Sequence, residues 1–174
     1  MAVNAFAQQK VKLNEPFWFG DYTYTFTGAK ESKELVRSKH TKKNPDEGAG
    51  FFVVYYTVEN MTNEPITGSD FKKLKVKDKN GRTDNANLFN TFYVGEHSVI
   101  RELAPGLPKK TAAVFEMPLS SFEGDASFTV IIPDNGDFKK ETRELTFTKV
   151  TTAAAETNEA KSPSKPKAKS KTGT

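Results

Sequence analysis

The sequence FFVVYYTVEN at residues 51–60 is the first indication of the fold. Its first eight residues are all aromatic or β-branched, and side chains of these two kinds favour the pleated, partly buried surface of a β-sheet. Turn-forming residues follow at once from Asn60 to Pro65, and Pro65 has no N–H to donate to a neighbouring strand. The stretch therefore predicts a central strand that ends in a turn.

Side chains along this strand form two sets, because successive residues of a β-strand point to opposite faces. The set that begins at Phe51 becomes polar first, so we assign the set that begins at Phe52 to the core. The predicted core set is Phe52, Val54, Tyr56 and Val58, and the opposite set is Phe51, Val53, Tyr55, Thr57 and Glu59.

Phe51, Val53 and Tyr55 then form an apolar stripe on the outer face of the sheet. Their burial is worth several kcal/mol at about 25 cal/mol per Å², so something should cover them. The cover comes either from the chain itself or from a partner that docks on an exposed patch. Within the chain, the candidates are the side chains of a neighbouring strand, the loop at 30–50 and the aromatic segment at 17–19.

Period-two patterns dominate the rest of the chain, and no segment keeps apolar residues at helical spacing for three turns. With turn signals between the strands, the chain predicts an all-β fold, an immunoglobulin-like antiparallel β-sandwich of about 7–9 strands. Besides the central strand, strands are predicted at 11–13, 22–27, 71–77, 99–103, 111–117, 127–132 and 145–148.

The connections carry their own signals. Gly28 ends or bends the strand before it, and Asn80-Gly81 predicts a hairpin turn. Residues 38–50 lack periodic apolar content and are predicted to be a mobile loop. A β-bulge at Lys72-Lys73 would bring Phe71 to the face that Leu74 and Val76 share.

Charge divides the 174-residue chain into a neutral body and a basic end. Of its 26 basic and 22 acidic residues, six and two lie in residues 149–174, which leaves 20 of each in residues 1–148. The tail has no aromatic side chain and too little apolar area to offset the entropy of ordering. We therefore expect a disordered N-terminal segment at 1–8, one sandwich domain at 9–149 and a disordered Lys/Pro/Ser-rich tail at 150–174.

Several motifs resemble one known family. They are GDYTYT at 20–25, FFVVYYTVEN at 51–60, EPIT at 64–67, SDF at 69–71, the segment 78–82, LAPG at 103–106 and AVFEMP at 113–118. Over residues 9–133 the chain is similar to the telokin-like immunoglobulin-fold domain of unknown function found in bacterial surface lipoproteins and secreted proteins. The mycobacterial immunoprotective extracellular protein belongs to the same fold group. The resemblance implies the fold and export, and it implies no catalytic residues.

The chain departs from this family pattern at three points. It has no cysteine and so no lipobox, which excludes a lipid anchor of that kind on the sequence as given. Lys72-Lys73 holds one residue more than the usual spacing, which is the bulge predicted above. Tyr55 stands at an outward position where a polar residue is common, and this enlarges the apolar outer stripe.

Two further surfaces are candidates for binding. The segment with Leu88, Phe89, Phe92, Tyr93 and Val94 either plugs one open end of the sandwich or presents aromatic side chains as a binding rim. The second candidate is a lysine stripe on one strand. It is a solvated face, a guard against edge-to-edge pairing, or a site for an anionic ligand such as cell-wall polymer or phospholipid. The stripe consists of Lys73, Lys75 and Lys77.

The basic tail is either a solvated segment or an electrostatic contact with an anionic wall, a membrane surface or nucleic acid. It has no aromatic residues for base stacking, so recognition of nucleic acid is not expected. No run of the chain reaches the roughly 18 apolar residues of a membrane span. We expect no transmembrane segment, and the sequence carries no signal for an oligomeric state.

Catalytic and metal-binding signatures are absent from the sequence. Without cysteine there are no disulfides, thiolate metal sites or thiol nucleophiles. His40 and His97 lack metal-ligand spacing, and no nucleophile elbow or phosphate-binding glycine loop occurs. A turn explains Asp134, Asn135 and Asp137 more simply than a calcium loop does. We therefore expect no enzyme, cofactor, metal site or small-molecule substrate.

The N-terminus bears on location. Ala5-Phe6-Ala7 has the small-x-small form of a signal-peptidase site, but residues 1–4 offer no charged or apolar region before it. The match is either a coincidence or the remnant of an export signal, so we expect an extracytoplasmic or secreted protein, with the cytoplasm as the alternative.

These patterns support a bacterial, non-catalytic binding domain whose partner is a protein or an envelope polymer. Its loops or an outer sheet face would make the contact. The alternative is an electrostatic binder of anionic polymer that uses the basic tail and the lysine stripe.

Overall fold

A computed structural model describes residues 9–67, 74–95, 97, 99–132 and 143–148. The predictions for the segment 1–8, the bulge at Lys72-Lys73, the turn at 133–137 and the tail at 150–174 lie outside these residues. The described elements are β1 Gln9–Lys10, β2 Phe17–Phe19, β3 Tyr22–Ser32, β4 Leu35–Ser38, β5 Thr41–Lys43, β6 Ala49–Asn60, β7 Ile66–Thr67, β8 Lys75–Asp78, β9 Thr83–Asn85, α1 Leu88–Thr91, β10 Glu102–Leu103, β11 Lys109–Pro118, a 3₁₀ turn Leu119–Phe122, β12 Ser127–Ile132 and β13 Arg143–Thr148.

Two sheets face each other and form the predicted sandwich. One has the strand order β11-β6-β3-β2, and the other has the order β1-β13-β12-β8-β9. Their nine strands pair antiparallel, apart from the parallel pair β1 and β13. Two ribbons of two strands each, β4 with β5 and β7 with β10, lie outside the main sheets. The all-β antiparallel prediction is confirmed.

The opening stretch is the long central strand β6, which pairs with β3 on one side and β11 on the other. Phe52, Val54 and Val58 are buried in the main core, and Tyr56 packs against it. From the facing sheet, Phe128 stacks on Phe52 with ring centroids 4.2 Å apart. The predicted core set of β6 is therefore confirmed.

The strand before it shows what Gly28 does. β3 continues past Gly28 to Ser32, and its register with β6 shifts between Phe26 and Gly28. The glycine therefore bends the strand at a bulge and does not end it, which is the second of the two outcomes predicted for it. Tyr22, Tyr24 and Phe26 share the buried face, as their alternation predicted.

Asn60 and the residues after it make the turn that the sequence predicted. The Asn60 side-chain amide donates to the backbone oxygens of Glu64 and Leu103, at 2.7 and 2.9 Å. Its Oδ1 accepts from the backbone N–H and the hydroxyl of Thr62, at 2.9 and 2.8 Å. The buried Asn60 side chain thus donates both of its amide hydrogens and accepts two hydrogen bonds at its oxygen, so the end of β6 is tightly held.

The predicted hairpin at Asn80-Gly81 joins β8 and β9. Gly81 takes φ of +81°, and its N–H donates to the Asp78 oxygen at 3.0 Å. The Asp78 carboxylate accepts from the N–H groups of Asn80 and Arg82 and from the Ser121 hydroxyl, at 2.9, 2.9 and 2.7 Å. Burial raises the pKa of the Asp78 carboxyl, but these hydrogen bonds and the Arg82 charge outweigh burial, and the pKa lies below its ordinary value.

Three sequence predictions need correction. The first strand lies at Gln9–Lys10 and not at 11–13, although Val11 N–H still donates to the Glu144 oxygen at 3.0 Å. Of the predicted strand 99–103, only Glu102–Leu103 pairs, with β7. Residues 38–50 are not a featureless loop, because Thr41–Lys43 pairs with Leu35–Ser38. The ribbon forms through backbone hydrogen bonds, which do not require apolar residues to alternate, so residues 38–50 show no strand pattern in the sequence.

Candidate functional site

The apolar stripe on the outer face of the β6 sheet is covered by the chain itself. Phe51 and Val53 are fully buried, and Tyr55 is nearly so. They form a second core with Leu35 of β4, with Ala112 and Val114 of the neighbouring strand β11, and with Val94 and Tyr93 of the loop after α1. Phe51, Val53 and Tyr55 therefore offer no surface to a partner, and the interpretation that the chain covers them is correct.

The aromatic segment at 17–19 does not take part in that cover. Phe19 is buried in the main core, while Trp18 is 65% exposed at the edge strand β2. A cleft of about 360 Å³ lies beside Trp18, lined by Lys10, Lys12, Glu15, Phe17 and Arg143 among others. Lys12 Nζ lies 3.3 Å from Glu15 Oε1, so these two residues of the cleft form an ion pair.

The lysine stripe lies on the outer face of the other sheet. Lys75 is exposed and Lys77 half-buried, and Lys73 lies outside the described residues. β8 sits between β12 and β9, so these lysines are not on an edge strand, and their proposed role against edge-to-edge pairing is wrong. This face is solvated and polar, with the Thr129 and Thr146 hydroxyls 3.1 Å apart. Binding by the stripe or by the tail stays a prediction.

The one-turn helix α1 is held firmly against β11. Asn87 caps its first turn by accepting the Phe89 N–H at 3.0 Å, and the Asn87 N–H donates to the Val114 oxygen at 2.9 Å. The buried Thr91 hydroxyl donates to the Ala112 oxygen at 2.9 Å. Because these contacts anchor both ends of the turn, its remaining side chains have fixed positions.

Three apolar side chains of this anchored segment point into solvent. Leu88 and Phe92 are exposed to 45% and 46%, and Phe89 to 86%. We call Leu88, Phe89 and Phe92 the aromatic ridge. The prediction that they plug an open end of the sandwich is wrong, and Val94 and Tyr93 pack into the second core on the outer face of the sheet instead. The exposure of the ridge is what a binding rim needs.

Basic side chains of the β4–β5 ribbon adjoin the ridge. The guanidinium carbon of Arg37 lies 4.1 Å from the centroid of the Phe92 ring, and Arg37 Nη1 donates to the Phe92 oxygen at 2.9 Å. Lys43 Nζ donates to Asn90 Oδ1 inside α1. Sequence reasoning missed this neighbourhood because the pairs are 47 and 55 residues apart and no local pattern joins them.

The described residues contain no group of three or more His, Cys, Asp or Glu side chains that could hold a metal ion. His40 is exposed on the ribbon, and the His97 ring lies 4.6 Å from the Tyr55 ring. Burial raises the pKa of Tyr24 and Tyr56, which keeps both phenols protonated. No helix in the described ranges has the length and apolarity to cross a bilayer.

Residues 11–143 match the model of a family described as "Domain of unknown function (DUF4352)". The chain belongs to this family. The resemblance seen in the sequence is confirmed to the extent that the family is one of unknown function and its structural relatives are β-sandwiches. Among curated proteins, nothing matches this DUF4352 member.

Solved structures similar to this DUF4352 member come from several bacteria. An uncharacterized β-sandwich protein from Clostridium difficile 630 has a TM-score of 0.65 at 12% identity, covering 84% of this chain and 99% of that one. A conserved hypothetical protein from Bacillus anthracis has a TM-score of 0.58 at 20% identity, covering 74% and 92%. At these identities the likeness shows the β-sandwich fold.

A third similar structure is a Bacillus subtilis protein described as a "putative lipoprotein (ycdA)". Its TM-score is 0.50 at 12% identity, and the match covers 84% of this chain and 42% of that one. The shared part is again the β-sandwich, so the larger protein contains more than the fold that this DUF4352 member has in common with it.

Proposed function

We propose that this DUF4352 member is a non-catalytic binding domain of an exported or cell-envelope protein, and that the aromatic ridge is its contact surface. The observation that carries the proposal is Phe89, which is 86% exposed on a helical turn anchored to β11. Large aromatic side chains supply much of the binding energy at protein interfaces, and anchoring removes part of the entropy cost of ordering them. The proposed partner is a protein or a component of the cell envelope.

The proposed location rests on the relatives. The structural neighbour from Bacillus subtilis is described as a "putative lipoprotein (ycdA)", which supports an extracytoplasmic location for the fold. The telokin-like immunoglobulin grouping, with its secreted members, belongs to this proposal as well. Cell fractionation checks it, since the full chain should separate with the envelope or the medium and not with cytoplasmic proteins.

Photo-cross-linking in the producing cells tests the contact surface. Benzoylphenylalanine placed at Phe89 of the full chain should yield a discrete cross-linked product. The matched control is the same residue at Leu107, which is 59% exposed and lies near Asn60 at the far end of β6.

Phe92→Ser should remove the product formed from position 89, because it takes away a neighbouring part of the ridge. A product that forms equally from position 107, or that survives Phe92→Ser unchanged, would show that the ridge does not select the partner.

A further inference from the structure

The aromatic ridge and the β4–β5 ribbon form one surface of mixed character. Arg37 joins them, since its guanidinium lies on the Phe92 ring and bonds the Phe92 oxygen. Lys43 joins them a second time through Asn90. The two parts come from distant segments of the chain and are held together, so a flat partner would meet both at once.

The ribbon side of this surface is basic. Residues 36–45 carry four cationic side chains and no acidic one, namely Arg37, Lys39, Lys42 and Lys43. Glu34, which precedes the segment, contacts Lys42 at 3.2 Å. Arg37, Lys39 and Lys42 are exposed, so a net positive charge faces solvent beside the ridge.

The ribbon also exposes an apolar side chain. Val36 of β4 is 42% exposed, and in the ribbon it stands directly opposite the exposed Lys42. On the ribbon, an apolar and a cationic side chain therefore lie side by side. A purely apolar partner would offer no anion to Arg37 or Lys39, while a soluble polyanion would leave the Phe89 ring in water.

We propose that this combined surface docks reversibly on an anionic lipid bilayer, an inference that rests on the ridge being the contact surface. A bilayer interface offers negative headgroups and, a few ångströms deeper, apolar chains, which is the order of charge and apolarity that the surface requires. The Phe89 ring enters the interface, and Arg37, Lys39 and Lys42 lie at headgroup level. A protein partner and a soluble polyanion are the competing occupants.

Fluorescence quenching tests the docking with the full chain. The native protein has a single tryptophan, Trp18, on the edge strand β2. This strand lies at the opposite edge of its sheet from β11, the strand that α1 contacts. The probe is the Trp18→Phe, Phe89→Trp double variant, mixed with vesicles of phosphatidylcholine and about one third phosphatidylglycerol that carry brominated acyl chains. Bromine in the chains should quench the tryptophan introduced by Phe89→Trp, and it should leave native Trp18 unquenched on the same vesicles.

The lysine-rich tail is also predicted to bind anionic surfaces, so the charge test compares a pair of variants in the ribbon with a pair in the tail. Lys39→Gln with Lys42→Gln should weaken vesicle binding about 25-fold at low salt, at roughly fivefold per basic residue near an anionic surface. A matched pair in the tail, Lys165→Gln with Lys167→Gln, should weaken binding without lowering the quenching of the bound probe. Lys39→Gln with Lys42→Gln should leave the thermal unfolding midpoint nearly unchanged, because both side chains are exposed.

Vesicle binding with no quenching of the Phe89→Trp probe would overturn the docking, because it would mean that the tail alone holds the protein. Equal quenching of Trp18 and of the probe would also overturn it. If cross-linking from position 89 captures a protein while the probe stays unquenched, the ridge remains the contact surface and the bilayer is the wrong partner.

Discussion

The outer faces of the two sheets differ in what covers them. On the β8–β12–β13 side, Lys75 and Thr146 meet solvent directly. On the β6 side, Phe51 and Val53 are fully buried beneath a third layer built from the β4–β5 ribbon and the α1 loop. An apolar outer face therefore holds loops in place over it, whereas a polar face needs no cover.

That third layer is also where the candidate contact surface lies. The side chains that face inward from it, such as Leu35 and Val94, fix the backbone. The side chains that face outward from the same segments, such as Phe89 and Lys42, are then presented on a rigid support. One sheet therefore carries a covering layer with an exposed apolar ridge, and the other carries only its own polar side chains.

We expect the largest loss of stability from a substitution beneath the covered face. Phe51→Ala removes a fully buried ring beneath the third layer, and Lys75→Ala removes an exposed side chain from the uncovered face. We expect Phe51→Ala to lower the free energy of unfolding by about 3–5 kcal/mol. Lys75→Ala should change it by less than about 0.5 kcal/mol. Urea unfolding of both variants measures the difference, and equal losses would remove the contrast between the faces.

An intermediate effect concerns the polar group that the second sheet buries. Asp78→Asn takes the charge from a carboxylate that accepts three hydrogen bonds, and we expect a loss of about 1–3 kcal/mol at neutral pH. Because the pKa of Asp78 is lowered in the folded state, its ionised form stabilises the fold above the unfolded pKa of about 3.9.

This contribution should be lost as the pH falls through the folded pKa. The difference in stability between the native chain and Asp78→Asn should therefore be full near neutral pH and shrink under acid conditions. Unfolding curves at several pH values check this, and a difference that is constant with pH would show that the charge of Asp78 does not stabilise the turn.

The smallest expected effect loosens the third layer at its rim. Arg37→Ala removes the guanidinium from the Phe92 ring and a hydrogen bond to the Phe92 oxygen, and it should cost about 1 kcal/mol. Lys39→Ala removes an exposed side chain of the same ribbon and should cost less than about 0.5 kcal/mol. Hydrogen exchange at the α1 amides should quicken in Arg37→Ala alone; equal rates in both variants would contradict the link.

Much of the fold could be predicted from local patterns. The run from Phe51 to Val58 indicated the central strand, and its parity identified Phe52, Val54 and Val58 as core residues. Asn80-Gly81 indicated the hairpin because glycine adopts positive φ without strain. The ribbon was not predicted, because Thr41–Lys43 pairs through its backbone and its residues show no alternation of apolar and polar side chains.

The candidate site depended on contacts that no local pattern contains. Alternation along a strand is enough to place Phe51, Val53 and Tyr55 on one face, since it follows from backbone geometry. Tertiary packing puts Leu35 and Val94 over this face, leaves Phe89 in solvent and brings Arg37 onto the Phe92 ring. Parity states which side chains lie together on a strand, but what lies across from them depends on how distant segments of the chain pack.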